Sequence, residues 1–184
     1  MIKMFRSGLI LINIWMVLGL TACSRSNQNS PGASSSSTES ASPAQVPKIT
    51  SESVVKVAVQ GAEIPVGGFG KAIVRVTVKS GYHINSNPPT FPYLKATELE
   101  MADTDEISLN SVFYPKALVK KFAFSDEPLH VYEGETPLTV ALGAAKTAKK
   151  GQQSIPAKLR IQACDDQICY PPGSIEVVIP VLIK

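Results

Sequence analysis

Two cysteines, Cys164 and Cys169, flank four residues in the stretch "RIQACDDQICYPPG", and two prolines follow after Tyr170. Thiols at this spacing have two chemistries open to them. They can close a disulfide that staples a fold, or they can exchange disulfides with other proteins. In exchange, one thiolate attacks a partner sulfur and the second cysteine resolves the mixed disulfide. Exchange demands an accessible thiolate. Asp165 and Asp166 adjoin Cys164, and nearby negative charge disfavours its thiolate. Cys169, between Ile168 and Tyr170, has no adjacent carboxylate. The residues therefore cast Cys169 as the sulfur that meets partners and Cys164 as the resolving one, if the pair is reactive at all.

The segment before the pair sets its orientation. In "SIPAKLRIQAC", Ile155, Ala157, Leu159, Ile161 and Ala163 alternate with Lys158, Arg160, Gln162 and Cys164. A strand places alternate side chains on opposite faces, so an unbroken register predicts Cys164 on the wetter face. The "DDQI" connection has hairpin length, which puts the two cysteines opposite each other at the base of a turn, within disulfide reach. Pro171 and Pro172 cannot donate ladder hydrogen bonds, so the next strand is expected to start after them. A bridge closing so short a loop stabilises by only about 2 kcal/mol on the chain-entropy model. Spacing alone leaves the staple and the reagent both standing.

Period-two alternation recurs through the chain beyond residue 48. It marks "SVVKVAVQG", "AIVRVTVKS", "ATELEMA", "SLNSVFYP", "TPLTVALG", "SIPAKLRIQA" and "SIEVVIPVLI" as strands. Turn-forming stretches such as "NSNPP", "YEGETP", "KKGQQ" and "PPGS" separate them. With no helical stripe of useful length and no internal repeat, residues 49–184 are expected to form an all-β domain, an immunoglobulin-like antiparallel β-sandwich.

The first 48 residues read differently. Lys3 and Arg6 precede the apolar stretch "GLILINIWMVLGLTA", which is a secretory signal by its layout. "LTAC" at Leu20 to Cys23 resembles the lipobox of bacterial lipoproteins, so residues 1–23 are expected to be a lipoprotein signal with its lipobox cysteine, cut before Cys23, which is then acylated as a membrane anchor. Ser24 after the cysteine favours the outer membrane on that resemblance. Residues 24–48, rich in serine and nearly free of large apolar side chains, are expected to be a disordered tether. Whether the signal is processed at the lipobox or is a plain cleaved signal that happens to contain a cysteine, the domain is expected in an oxidising compartment, where disulfides persist.

Four of the eighteen basic residues and one of the fifteen acidic ones lie in the first 48. The remaining chain is therefore neutral and has no electrostatic footprint for nucleic acid. His83, in "GYHINS", could in principle join two thiolates at a copper or zinc site. With His130 the only other histidine and no fourth ligand evident, His83 reads as a hydrogen-bonded loop or strand-end residue. No metal or bound cofactor is expected.

"IQACDDQICYPP" is similar to the active-site hairpin of the N-terminal periplasmic domain of the thiol:disulfide interchange protein DsbD family. "VTVKSGYHINSNPP", "VFYPKAL" and "VYEGETPLTVAL" agree with it in order, more loosely. The resemblance covers most of residues 49–184 and tips the balance towards exchange. It implies that Cys164 and Cys169 are the redox pair, and that electrons come from a thioredoxin-like protein and go to oxidised periplasmic proteins. It also implies an aromatic cap loop over the cysteines. "KKFAFSDEP" lies where that loop belongs, so Phe122 and Phe124 are candidate shields, with ordinary strand-core residues as the alternative. Full-length family members continue into membrane and thioredoxin-like domains, so a separate donor protein is expected here. The competing function is a non-catalytic lipoprotein interaction domain with a purely structural disulfide; a copper-handling module is a third.

Overall fold

The computed structural model describes residues 48–184. The expected signal, the lipobox cysteine Cys23 and nearly all of the tether lie outside the described residues.

Apart from a single 3₁₀ turn at Glu52–Val54, the regular structure of the described residues is entirely β. The strands are β1 (Val55–Gln60), β2 (Ala62–Ile64), β3 (Phe69–Val78), β4 (His83–Asn85), β5 (Glu98–Met101), β6 (Ile107–Phe113), β7 (Leu118–Lys120), β8 (Leu129–Tyr132), β9 (Glu135–Ala144), β10 (Gly151–Ile161), β11 (Ala163–Cys164) and β12 (Gly173–Ile183). They form three sheets, ordered β1-β3-β9-β6, β2-β12-β10-β5 and β11-β4-β8-β7. Every pairing is antiparallel except β2 with β12.

The two larger sheets are built by the alternation visible in the sequence. On β3, Ala72, Val74, Val76 and Val78 are buried while Lys71, Arg75 and Thr77 face outward. Opposite them on β9, Val140, Leu138 and Thr136 pair with Ala72, Val74 and Val76. On β10, Ile155, Ala157, Leu159 and Ile161 turn inward, and across the ladder Ile179 and Val177 of β12 pair with Ile155 and Ala157. These faces merge into one apolar cluster, the layering of an immunoglobulin-like sandwich. Each fully buried Val, Leu or Ile contributes roughly 1.5–3 kcal/mol, so the fold does not depend on the cysteine bridge. The outward face of β10 stays wet: Arg160 Nη1 lies 2.7 Å from Glu100 Oε1 with both side chains about half exposed, an arrangement that stabilises little.

The third sheet is small, and its strand β11 carries Cys164. After Ile161 the chain leaves the β2-β12-β10-β5 sheet, passes Gln162, and pairs Ala163 and Cys164 with Ile84 and His83 of β4. β8 and β7 extend the layer. Phe122, Leu129 and Val131 form its own apolar cluster, against which Phe91 and Leu94 pack.

Candidate functional site

The change of sheet is fixed by hydrogen bonds of the Ser51, Asn85 and Gln162 side chains. Ser51 Oγ accepts from Ala163 N at 3.0 Å and donates to Pro171 O at 2.7 Å, tying the two arms of the cysteine hairpin to the start of the domain. Gln162 Oε1 accepts from Asn85 Nδ2 at 3.1 Å and from Lys95 N at 2.9 Å, while its Nε2 donates to Tyr170 O at 3.3 Å. Buried polar groups must find partners of this kind. The composition of these loops gave no sign that Ser51, Asn85 and Gln162 would frame the site; a short polar side chain is also what a solvated turn uses.

Cys164 and Cys169 are joined as a disulfide and pair across the turn as isolated bridge partners. The tip is held by Asp165, whose Oδ1 accepts from Gln167 N and Ile168 N, both at 2.8 Å, and whose Oδ2 accepts from the Tyr170 hydroxyl at 2.6 Å. β12 begins at Gly173, directly after the prolines, as expected.

The expected exposure of Cys164 is corrected: it is 0% exposed. The β10 register ends at Ile161, where the chain changes sheets. On β11 the cross-strand neighbour of Cys164 is His83, and opposed residues share a face with Cβ atoms about 4.5–5.5 Å apart. The Phe122 ring stacks on His83 at 4.0 Å, so that face is covered. Cys169 is partly exposed and borders a cavity of about 570 Å³ that Phe91, Tyr93, Phe124 and Gln162 also line.

Phe122 and Phe124 lie in the loop between β7 and β8, not on a strand. Phe122 is 4% exposed, and Phe124, 38% exposed, stacks on it at 5.4 Å. Phe91 and Tyr93 stack at 5.2 Å on the cavity wall; in the sequence, two aromatics among prolines read as loop and carry no signal of a site. His130 is exposed on β8.

His83 is the expected strand-end residue, at the start of β4 and 1% exposed, but it lacks the expected hydrogen bond at Nε2. A buried unpaired polar atom costs about 1–3 kcal/mol. Burial holds its imidazole below the ordinary 6.5, opposed by Glu133 and, more weakly, Asp166 and Asp165, while Lys120 acts with burial. Among the described residues no group of three or more metal-ligating side chains converges.

The Asp165–Tyr170 contact has titration consequences. Its hydrogen bond to Asp165, first among the causes, pushes the Tyr170 hydroxyl up to about 12. The same bond, with the two backbone donors, lowers the Asp165 carboxyl below its ordinary 3.8. For Tyr170 the raised folded value means a stabilisation fully present below pH 10 and lost as pH rises through about 12. For Asp165 the stabilisation is present above its ordinary value and lost as pH falls through the lower folded one. In an absorbance titration, Asp165→Ala is expected to bring Tyr170 back towards its ordinary 10.0; an unmoved Tyr170 contradicts the contact.

The chain matches the family model described as "Thiol:disulfide interchange protein DsbD, N-terminal" over residues 50–179. No curated protein matches it. Among solved structures it is similar to the DsbD N-terminal domain of Neisseria meningitidis in the reduced form, at 20% identity over 71% of this chain and 88% of that one, with a TM-score of 0.45. It is also similar to the N-terminal periplasmic domain of ScsB from Proteus mirabilis, at 15% identity over 68% of this chain and 45% of that one, with a TM-score of 0.49. A type I cohesin of ScaB from Pseudobacteroides cellulosolvens matches at 10% identity over 71% and 92%, with a TM-score of 0.43.

Proposed function

The chain belongs to the family of the N-terminal domain of the thiol:disulfide interchange protein DsbD, and we propose from that premise that it relays electrons through Cys164 and Cys169. A partner dithiol reduces the Cys164–Cys169 disulfide and becomes a disulfide itself. The resulting pair of thiols then reduces an oxidised protein, so two electrons and two protons pass in each half. The electrons travel as thiols, and no bound cofactor is needed.

One observation carries this reading. The disulfide sits in a tight hairpin outside the main core, with its two sulfurs unequal: Cys164 fully buried, Cys169 partly open at an aromatic-lined cavity. A staple has no use for that asymmetry. A relay does, because the partner must reach one sulfur while the other waits to resolve the mixed disulfide. Exposed Ile168 beside Cys169 and exposed Tyr93 at the cavity offer apolar contact to a docking protein. Phe122 and Phe124 are assigned as the cap over the pair.

The donor is assigned as a thioredoxin-like protein and the acceptor as an oxidised protein of the periplasm, where the domain is held to a membrane by acylated Cys23.

The test is the equilibrium redox state of the chain in graded thiol buffers, with free cysteines trapped by alkylation. A midpoint well above about −300 mV is expected for an exchangeable pair. A lower midpoint makes the bridge a resistant staple and leaves a non-catalytic interaction domain.

A further inference from the structure

Resting on the reading of Cys164 and Cys169 as an exchanging pair, we propose that His83 is the base that takes the Cys164 thiol proton when a mixed disulfide at Cys169 is resolved. His83 is the cross-strand partner of Cys164, so the imidazole and the sulfur share one face of the small sheet. Its Nε2 is buried and unpartnered while the cysteines are bridged. Reduction changes that side of the sheet by creating one new polar hydrogen, the S–H of Cys164. In the Nδ1–H tautomer, Nε2 offers that hydrogen a lone pair.

The step balances. The Cys164 S–H bond breaks and its proton goes to Nε2. Cys164 Sγ attacks Cys169 Sγ, forming the intramolecular disulfide. The bond between Cys169 Sγ and the partner sulfur breaks, and its electron pair leaves on the partner as a thiolate. The two cysteines are oxidised and the partner is reduced.

The surroundings suit a base that must be neutral at rest and briefly charged in action. A buried cysteine resists ionising unaided, and Asp165 and Asp166 beside it add to that resistance. Burial keeps the imidazole uncharged, while Glu133 at the end of β8 and the two hairpin aspartates favour the imidazolium once formed; Lys120 of β7 opposes it. His83 also borders a second cavity, of about 340 Å³, shared with Lys79, Lys120, Glu133 and Asp166. That cavity gives the proton a route to water. Phe122, stacked on the ring, holds its plane.

The experiment follows thiolate release when the reduced full-length chain meets the aromatic disulfide dithiobis-nitrobenzoate. The first release reports attack by Cys169, and the second reports resolution by Cys164. In the native chain the second phase is expected to level off above the imidazole's ordinary 6.5. His83→Phe keeps a ring for Phe122 to stack on, and His83→Gln keeps an acceptor that cannot hold a proton. Both are expected to leave the first phase intact and slow the second at neutral pH by about a hundredfold, the scale of general-base catalysis. In both, the second phase should keep rising towards the thiol range. An unchanged second phase in either variant overturns the proposal, as does a native second phase that climbs without levelling. Absence of the first phase in the native chain sinks the exchange reading itself, and this proposal with it.

Discussion

A chain carrying Cys164→Ala is expected to stop at a mixed disulfide through Cys169, releasing one aromatic thiolate where the native chain releases two, with turnover at background. Cys169→Ala is expected to release almost nothing, because its remaining sulfur is 0% exposed behind His83 and Phe122. Exchange requires the attacking and attacked sulfurs to meet, so access decides the order before acidity does. Acidity points the same way: the Asp165 carboxylate is fixed at the tip by three donors and stays charged beside Cys164. Neither variant should unfold the domain, since a loop this short contributes only about 2 kcal/mol and the sandwich core packs without it. Mass spectrometry of the trapped adduct checks the assignment. Faster capture in Cys169→Ala than in Cys164→Ala reverses the roles.

Phe122→Ala is expected to cost about 3 kcal/mol, at the low end for a buried phenylalanine because its loop can partly collapse, and to speed reduction of the disulfide by a small dithiol by about tenfold or more, equivalent to about 1.4 kcal/mol of lost cover. The ring is 4% exposed, stacks on His83 and Phe124, and anchors a cluster with Leu129 and Val131 that is separate from the main core. Opening that cluster uncovers the pair while leaving the two large sheets closed, the behaviour of a local unit with its own stability. Phe124→Ala, at 38% exposed, should alter stability by about 0.5 kcal/mol or less. Denaturant unfolding and stopped reduction kinetics on the two variants separate the effects. A native reduction rate in Phe122→Ala removes the cap assignment.

The strands of the two large sheets were legible because each runs long enough for alternation to register. β3, with Val74, Val76 and Val78 set against Arg75 and Thr77, and β10, with Ile155, Ala157, Leu159 and Ile161, each show several turns of the two-residue period. β2, β4, β7, β8 and β11 have two to four residues, too few to define a period. β4 hides further: His83, Ile84 and Asn85 are all buried, so its two faces carry no contrast. The small sheet escaped because its strands are short and β4 is buried on both faces.

The cysteine pairing and the strand start after Pro171 and Pro172 followed from local rules, since four intervening residues and a pair of missing donors constrain the chain wherever it lies. The sequence by itself thus determined the β class, the inner faces of the long strands and which two sulfurs can meet. Only the tertiary structure decided which sulfur is open: the crossing from β10 to β11 brings Cys164 opposite His83, and a loop from forty residues earlier lays Phe122 on top. Periodicity says how a side chain points relative to its own strand, whereas shielding depends on what distant segments are packed against that side, and no local pattern encodes the neighbour.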